Sequence, residues 1–299
     1  MLIIGIVALS GCSDPEAKEL PTVSGKFGDK PAIIFSGSPI RGFQKKIVSE
    51  GNGPHVGGND YIKAHVTSQV WGKGKSSSTY EKGVNAAQVF QLNASDSPPL
   101  ANRGIPGTRV GSRILMTDSA GDAFGGHIPR NVNAEDVVVV VVDVLAAASV
   151  DPGIISQGRA APPQRSAMPR VTGRAGSKPV VTVPEDFNPS RKLRADNLIL
   201  GIGPKVNSGQ TIIAHSFALG LANRKVFQNT WESGHPGAYP LGAGVLVKGF
   251  EEGLTGKNVG DRVLLIIPTE MAYGDSPPPN SGISKGEALF FVVDILATL

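Results

Sequence analysis

The feature that most constrains the fold of this 299-residue chain is an internal repeat at an offset of about 150 residues. Residues 53–56 (Gly-Pro-His-Val) match residues 203–206 (Gly-Pro-Lys-Val). Each copy also ends in a run of apolar, mainly β-branched residues, at 137–145 and at 289–296. A segment that recurs in this way is one structural unit used twice, so the repeat predicts two homologous domains of about 120 residues each.

The pattern inside the second copy is mostly that of a β-sheet. Runs of β-branched residues bounded by turn residues predict strands at 211–219, 262–268 and 288–297. Residues 250–254 predict the only helix of that copy, about two turns at most. In the first copy, the valine run 137–142 lies between two aspartates and is much shorter than the ~20 residues of a membrane-spanning helix, so it predicts a buried strand. The patterns therefore predict the α+β class, an antiparallel β-sheet with one short α-helix in each domain.

The segment 150–177 between the copies has no apolar period and carries four prolines and four glycines, which predicts a linker. It also holds four arginines and one aspartate, which is +3 of the formal net charge of +4. Because no aromatic residues are interleaved with these arginines, the basic pI of about 9.1 does not indicate nucleic-acid binding. A weaker alternative is that the arginines bind an anionic surface polymer or lipid headgroups. The four are Arg159, Arg165, Arg170 and Arg174.

The amino terminus has the pattern of an export signal. Its apolar run 2–9 has the length of a signal-peptide core, and residues 9–12 (Leu-Ser-Gly-Cys) resemble the bacterial lipobox. We therefore predict a signal peptide at 1–12, lipidation of Cys12, a tether at 13–29 and an extracytoplasmic, membrane-anchored protein. The absence of Lys or Arg before the run departs from the usual signal, and the alternative is a first strand with Cys12 buried. As Cys12 is the one cysteine of the sequence, intramolecular disulfides and multi-cysteine metal clusters are excluded.

Four motifs of the second copy occur in close succession: 245–254 (VLVKGFEEGL), 259–268 (VGDRVLLIIP), 270–274 (EMAYG) and 288–296 (ALFFVVDIL). In this order and spacing they resemble the FKBP-type peptidyl-prolyl cis-trans isomerases, and the chain as a whole resembles tandem-domain, actinobacterial-like lipoproteins of that family. The resemblance covers Lys178–Leu299 well and the first copy more faintly. It implies two FKBP-like domains, each a twisted antiparallel sheet wrapped around one short helix. We predict a degenerate domain at 30–149 and an isomerase domain at 178–299.

The resemblance also implies a binding site for X–Pro segments in the second domain. The site is an apolar aromatic pocket in which a backbone N–H and a tyrosine hydroxyl bind carbonyl groups of the substrate. Residue by residue, the family's site falls on Phe217, Phe227, Gln228, Leu246, Val247, Phe250, Tyr273, Ile283 and Phe291.

Three positions depart from the family pattern. Gln228 replaces the Asp that usually follows the pocket Phe, Phe217 replaces a Tyr, and Ser284-Lys285 replaces Pro-Pro in the flap loop 275–287. These changes predict a lower rate but leave the apolar pocket in place. The first copy departs further, because most of its corresponding residues are small or polar. These residues are Thr67, Ser76, Ser77, Ala101 and Phe124, with Phe90 nearby.

We therefore expect a monomeric peptidyl-prolyl isomerase that acts on proline-containing segments of exported proteins and needs no cofactor or metal. The five histidines have no metal-ligand spacing and are interpreted as structural or solvated. Without the motif order, the phenylalanines would be ordinary core residues. The alternative from another functional class is a non-catalytic holdase, in which the pockets bind proline-containing segments without isomerising them.

Overall fold

The computed structural model describes residues 18–82, 86–162 and 168–299. Cys12 and the predicted signal peptide lie outside the described residues. The chain divides into two compact units. The first takes in the residues up to Gly58 with Ala64–Gln88 and Asn93–Leu145, and the second takes in Asn59–Lys63, Val89–Leu92 and Ala146–Leu299. Among the described helices, none is long and apolar enough to cross a membrane.

In the first copy of the repeat, the described residues form ten strands and two short helices. In chain order these are β1 (Lys18–Glu19), β2 (Thr22–Ser24), β3 (Ala32–Ile34), β4 (Ser38–Pro39), β5 (Gln44–Ser49), β6 (Tyr61–Val70), β7 (Ser77–Ser78), β8 (Gln88–Gln91), α1 (Pro99–Gly104), β9 (Arg113–Ser119), α2 (Ala120–Phe124) and β10 (Val137–Ala148). A 3-10 helix lies at Thr79–Lys82.

In the second copy, the part that the structure describes has nine strands and two short helices. They are β11 (Arg159–Ala160), β12 (Arg170–Thr172), β13 (Val180–Thr182), β14 (Arg194–Leu200), β15 (Thr211–Gly220), β16 (Val226–Asn229), α3 (Thr230–Ser233), β17 (Gly237–Pro240), α4 (Lys248–Leu254), β18 (Arg262–Ile267) and β19 (Leu289–Thr298). Two 3-10 helices lie at Ile154–Gln157 and Thr269–Met271.

Both copies build the same antiparallel sheet. The order in the first is β5-β9-β10-β6-β7 with β8 also paired to β6, and in the second it is β14-β18-β19-β15-β16 with β17 paired to β15. The second sheet adds β11 at the edge beside β14. Each sheet is accompanied by a short helix, α1 or α4, that packs on it. The predicted α+β class, with an antiparallel sheet and a short helix on it in each copy, is therefore confirmed.

The predicted strands and helix of the second copy coincide with β15, β18, β19 and α4 to within two residues. The additional helix α3 was not predicted, because it is a single turn that ends at Gly234 in the left-handed conformation with φ of 74°. In the first copy the valine run becomes β10, which is buried along most of its length. Period-2 and period-3.6 patterns thus located β15, β18, β19 and α4, but neither the single-turn α3 nor the seven-residue strand β14.

The sheet of the second unit carries an apolar cluster on each of its two faces, because successive strand residues point to opposite sides. The cluster that includes α4 is called the inner cluster: Val206, Ile212, Ala214, Ala218, Tyr239, Leu241, Phe250, Leu254, Val259, Val263, Leu265, Ile267, Leu289, Phe291, Val293 and Ile295. The cluster on the opposite face is called the outer cluster: Phe217, Leu219, Leu221, Leu264, Ile266, Ala288, Phe290 and Val292.

A β-hairpin covers the outer cluster. Strands β12 and β13 pair antiparallel, and Val171 and Val181 pack against the outer cluster. The side chain of Arg262 fixes this hairpin, because it donates to the backbone carbonyls of Arg174 (3.1 Å) and Ser177 (2.8 Å). Its remaining donors bind the carboxylate of Asp294 at 2.6 and 2.7 Å. Both partners of this ion pair are buried, with side-chain exposures of 3% for Arg262 and 0% for Asp294.

The first copy has the same arrangement at its amino-terminal end. Strands β2 and β3 form the hairpin, and Arg113 donates to the backbone carbonyls of Gly25 (2.7 Å) and Asp29. The guanidinium group also binds Asp143 through two hydrogen bonds of 2.7 Å. We use the term arginine clamp for each of these two arrangements of a buried Arg, its Asp and a hairpin.

The structure corrects the predicted linker and the predicted tether. Segment 150–177 is not a linker where the structure describes it, because residues 154–157 form a 3-10 helix, β11 joins the large sheet and β12 forms half of the hairpin. The predicted tether 13–29 likewise contains β1 and β2 from residue 18 onward. Both segments have short strands with little apolar content, so periodicity alone did not detect them. Arg165 lies outside the described residues.

Candidate substrate-binding site

Four aromatic side chains from four different elements meet on the inner face of the second unit. Phe227 comes from β16, Tyr239 from β17, Phe250 from α4 and Phe291 from β19. The ring centroids of Phe227 and Phe291 are 5.7 Å apart, those of Phe250 and Phe291 are 5.2 Å apart, and both pairs have edge-to-face geometry. Tyr239 lies 5.2 Å from Phe250. These spacings are typical of attractive aromatic pairs, so the four rings, called the aromatic quartet, support one another.

The prediction that Phe217 lines this site is wrong. Phe217 belongs to the outer cluster, whereas the neighbouring strand positions Ala214 and Ala218 belong to the inner cluster. The inner-facing neighbour is Ser216, whose hydroxyl bonds to the inner Tyr239. Because side chains alternate along β15, aligning the family's tyrosine one residue too late exchanges the two faces of the sheet.

Helix α4 presents Phe250 to the site at the end of a segment formed by Leu246 and Val247. Both residues are half-buried and pack against the inner cluster. The Val247 carbonyl accepts the first helical hydrogen bond, from the N–H of Phe250 at 2.9 Å. The backbone N–H of Val247, at the amino-terminal cap of α4, makes no hydrogen bond within the part of the chain that the structure describes. A free N–H beside an apolar surface can bind a carbonyl group of a ligand.

Two glycines let α4 approach the sheet closely. A Cβ atom at Gly249 would lie 2.4 Å from Ile267, and one at Gly253 would lie 2.6 Å from Leu265. Both distances are shorter than any normal carbon–carbon contact, so a larger residue at either position would displace the helix. The depth at which Phe250 is buried, with 3% exposure, therefore depends on these two glycines.

Gln228 belongs to a polar cluster at the edge of the aromatic quartet. Its Nε2 donates to the hydroxyls of Ser216 and Tyr239, each at 2.6 Å, and these hydroxyls are 2.7 Å from each other. Burial raises the pKa of Tyr239 above its usual 10.0, which keeps the phenol neutral. The cluster is therefore uncharged, in contrast to the carboxylate that the family resemblance implies at position 228.

Ser216 and Tyr239 were missed by sequence reasoning. For Ser216 a signal existed, because strand alternation places it on the same face as Ala214 and Ala218. For Tyr239 the sequence offered no periodic signal, because β17 is a four-residue strand outside the motifs.

Tyr273 and Ile283 belong to the loops that border the site. Tyr273 follows the 3-10 helix Thr269–Met271 and is 37% exposed, and its hydroxyl makes no hydrogen bond to any described residue. Ile283 lies in the flap loop 275–287 and packs against the inner cluster. The base of the flap is closed by a hydrogen bond from the N–H of Gly286 to the carbonyl of Gly274, at 2.8 Å. The two side chains that could contact a ligand thus extend from loops anchored at a common base.

The first copy lacks the aromatic quartet at the corresponding positions. Thr67 pairs with Ser78 in the sheet, as Phe217 pairs with Asn229, and its hydroxyl lies 2.7 Å from that of Ser78. Ala101 occupies the place of Phe250 in helix α1. The remaining counterparts are small or lie in loops: Ser76, Ser77, Phe90 and Phe124.

A buried carboxylate further distinguishes the first copy. Asp118 lies on β9 at the position that Ile267 holds on β18, and its carboxylate is paired with Arg103 of α1. The Asp118 side chain is only 1% exposed. A charged pair at this position is a poor environment for an apolar ring, because an ion must stay solvated or paired.

The site of the second unit suits an apolar, ring-shaped group with a nearby carbonyl. Aromatic walls provide the apolar surface, while the Val247 N–H and the Tyr273 hydroxyl provide donors. In the described part of the chain, no group of His, Cys, Asp and Glu side chains could hold a metal ion. A separate surface cavity of about 520 Å³ beside residues 187–191 contains none of the aromatic quartet.

Comparison with known proteins places residues 203–296 in a family model described as FKBP-type peptidyl-prolyl cis-trans isomerase. The "FK506-binding protein" of Streptomyces anulatus is 36% identical over 120 residues, which span 40% of this chain and 96% of that protein. The "Probable FK506-binding protein" of Corynebacterium glutamicum is 32% identical over 120 residues, which span 40% of this chain and 92% of its own length. Among solved structures, AtFKBP13 is 28% identical and matches 36% of this chain and 93% of its own, with a TM-score of 0.32.

Proposed function

Because the chain belongs to the FKBP-type peptidyl-prolyl isomerase family, we propose that its second unit catalyses cis/trans isomerisation of X–Pro bonds at the aromatic quartet. The observation that carries the proposal is the meeting of Phe227, Phe250 and Phe291 from three separate elements on one face of the sheet. Such a surface accepts a proline ring without any nucleophile, general base or metal.

The chemistry needs only differential binding. Rotation about a peptide bond costs about 18–20 kcal/mol because amide resonance is lost as the bond twists. In the twisted state the carbonyl carries less separated charge than in the planar state, so a water-excluded apolar surface favours the twisted form. The Val247 N–H and the Tyr273 hydroxyl would hold carbonyl groups of the substrate and fix the geometry.

The neutral cluster around Gln228 makes the carbonyl environment less negative than a carboxylate would. A nearby negative charge affects how the reacting carbonyl is polarised, so its absence changes the stabilisation of the twisted state. We propose that this site isomerises proline peptides more slowly than family members with Asp at the position.

A protease-free assay of cis/trans exchange in a proline peptide tests the proposal on the full chain. The double variant Tyr273→Phe, Phe291→Ala removes one donor and one wall of the quartet, and we expect it to lose most of the acceleration. Phe124→Ala, at the first-copy counterpart of Tyr273, is the matched control and should keep the wild-type rate. Acceleration that survives in the double variant would refute the proposed site.

The second candidate is a non-catalytic holdase. The replacement of Asp by Gln228 and the absence of an aromatic quartet in the first copy favour this candidate. It predicts that the wild-type chain binds an unfolded proline-containing protein and slows its aggregation without changing the rate of exchange. Phe291→Ala should then weaken binding, while the exchange rate stays at background in both proteins.

We further propose that the protein acts outside the cytoplasm on exported polypeptides, anchored to the membrane by a lipid on Cys12. The support is the lipobox-like sequence around Cys12. Metabolic labelling with a fatty acid and cell fractionation test this in a bacterium that processes lipoproteins. The wild type should be labelled and found with membranes, and Cys12→Ala should be unlabelled. Equal labelling of both would refute the anchor.

A further inference from the structure

The carboxylate of Glu287 lies buried at the base of the flap, where it is surrounded by hydrogen-bond donors. The residue is 3% exposed. Its Oε1 accepts from the backbone N–H groups of Ala222 (3.0 Å) and Asn223 (2.8 Å), which lie in the turn after β15. Its Oε2 accepts from the N–H of Ser284, in the flap, at 2.6 Å. One buried anion thus joins the turn to the flap.

The side chain of Asn223 makes a second connection between the same two segments. Its Nδ2 lies 3.1 Å from Oε2 of Glu287, 3.0 Å from the Gly282 carbonyl and 3.2 Å from the Ser284 hydroxyl. Its Oδ1 accepts from the N–H of Lys225 at 2.8 Å, which holds the amide group in place. The contacts at 282 and 284 flank Ile283, the flap residue that packs against the inner cluster.

The end of β15 leaves room for this carboxylate. A Cβ atom at Gly220 would lie 2.3 Å from Oε1 of Glu287, so any larger residue would push the carboxylate out of its position. The φ of Gly220 is not in the left-handed region, so the need for glycine here is a matter of space and not of backbone conformation. We use the term flap latch for Gly220, Asn223 and Glu287 together.

The first copy has an acidic residue at the same place but not the latch. Asp136 precedes β10 as Glu287 precedes β19, and it accepts from Lys73 (2.7 Å) and from the N–H of Asn133 (3.1 Å). Lys73 is 59% exposed, so this is a surface ion pair of little strength. A carboxylate that also accepts from backbone N–H groups of the turn after the long strand occurs only at Glu287, in the copy that carries the aromatic quartet, among the residues the structure describes.

We propose that Asn223 and Glu287 are positioning residues, which hold Ile283 against the aromatic quartet and so keep the flap ready for a proline peptide. This inference rests on the proposed function. A flap that is already ordered does not lose conformational freedom when the peptide binds, so the latch lowers the free-energy cost of binding. It does not touch the reacting bond, so its loss should weaken binding more than it slows rotation.

Glu287→Gln and Gly220→Ala test the latch on the full chain from its two sides. In the first variant an amide replaces the carboxylate and meets N–H donors with its own NH₂ group; in the second the new Cβ displaces the carboxylate. We expect KM for a proline peptide to rise about tenfold in each, with kcat within about twofold, because each leaves buried donors without an acceptor. Glu270→Gln, which removes an exposed carboxylate from the 3-10 helix 269–271, is the matched control and should change neither constant.

Hydrogen exchange provides a readout that does not depend on catalysis. The Ser284 amide should exchange about tenfold faster in both variants than in the wild type, while amides of β18 and β19 keep their protection. The double variant Glu287→Gln, Gly220→Ala should exchange its Ser284 amide no faster than either single variant, since both substitutions break the same contacts. An unchanged Ser284 exchange rate, or a fall in kcat at constant KM, would overturn the proposal. If the wild type fails to accelerate cis/trans isomerisation of a proline peptide, the proposed function fails. The hydrogen-exchange rates of the Ser284 amide then show by themselves whether the latch orders the flap.

Discussion

Replacing Arg262 with Met tests the arginine clamp of the second unit. The substitution keeps most of the side-chain volume but removes four hydrogen bonds, two to Asp294 and one each to the carbonyls of Arg174 and Ser177. It leaves the Asp294 carboxylate buried without its cation. The hairpin β12–β13 loses its two hydrogen bonds to the guanidinium group, and we expect the outer cluster beneath it to become more accessible to water.

The expected loss of stability follows from the burial of the Arg262–Asp294 ion pair. Removing one partner of a buried ion pair costs about 3–5 kcal/mol, because the other charge stays uncompensated. Burial already raises the pKa of Asp294 above its usual 3.8, and the arginine opposes that rise. Without Arg262 the pKa rises further, so Asp294 can take up a proton and limit the loss. We therefore expect the free energy of unfolding to fall by about 3–5 kcal/mol at neutral pH, with a smaller loss at acid pH.

The two tryptophans make the measurement specific to one copy. Trp231 stacks on His215, lies 5.9 Å from the Arg262 guanidinium and donates to the Gly176 carbonyl of the hairpin. Trp71 lies in the first copy, so a Trp71→Phe background leaves fluorescence that reports the second copy alone. Urea unfolding followed at Trp231 then gives the free energy of the second unit.

Matched variants separate the clamp from general damage. Arg113→Met removes the equivalent arginine of the first copy, so in the Trp71→Phe background it should have little effect on the unfolding followed at Trp231. Arg262→Met with Asp294→Leu removes both charges and should recover much of the lost stability. If Arg262→Met lowers the free energy of unfolding by less than about 1 kcal/mol, the value of an exposed pair, the clamp does not stabilise the second unit as a buried ion pair.

Three further predictions concern individual side chains of the second unit. Tyr273→Phe should lower kcat/KM about fivefold without changing the urea midpoint, since the exposed hydroxyl contacts no described residue; an unchanged kcat/KM would remove Tyr273 from the site. Phe217→Leu should lower the free energy of unfolding by about 1 kcal/mol and leave kcat/KM unchanged, whereas Phe291→Leu should lower both the stability and kcat/KM. Equal effects of the two substitutions on kcat/KM would contradict the placing of Phe217 and Phe291 on opposite faces of the sheet. Burial, with a smaller effect of His235, lowers the pKa of His215 below 6.5, so the unfolded chain binds a proton more readily than the folded one. The free energy of unfolding should therefore be highest above pH 6.5 and fall as the pH drops through this value, by up to about 1.4 kcal/mol per pH unit. Urea unfolding at pH 7.5 and 5.5 should show a smaller difference in the free energy of unfolding for His215→Gln than for the wild type.

The features of the protein that depend on local pattern can be read from the amino-acid sequence. β-branched runs located β15, β18 and β19, the motif order identified the family, and the long offset showed that one sheet is built twice. The positions of Phe250 and Phe291 could be carried over because each lies inside one of the four motifs. These features survive without tertiary information, because strand and helix periods are short-range properties of the chain.

The tertiary structure decided the features that depend on which face a residue occupies and which distant group it meets. A shift of one residue moved Phe217 to the outer cluster and put Ser216 beside Tyr239 and Gln228. Arg262 binds Asp294 and the Ser177 carbonyl, which are separated from it by 32 and 85 positions in the sequence. Glu287 likewise binds Asn223 at a separation of 64 positions. Buried polar groups must be paired, but the sequence does not say with what, because partners are chosen by the packing of the whole sheet.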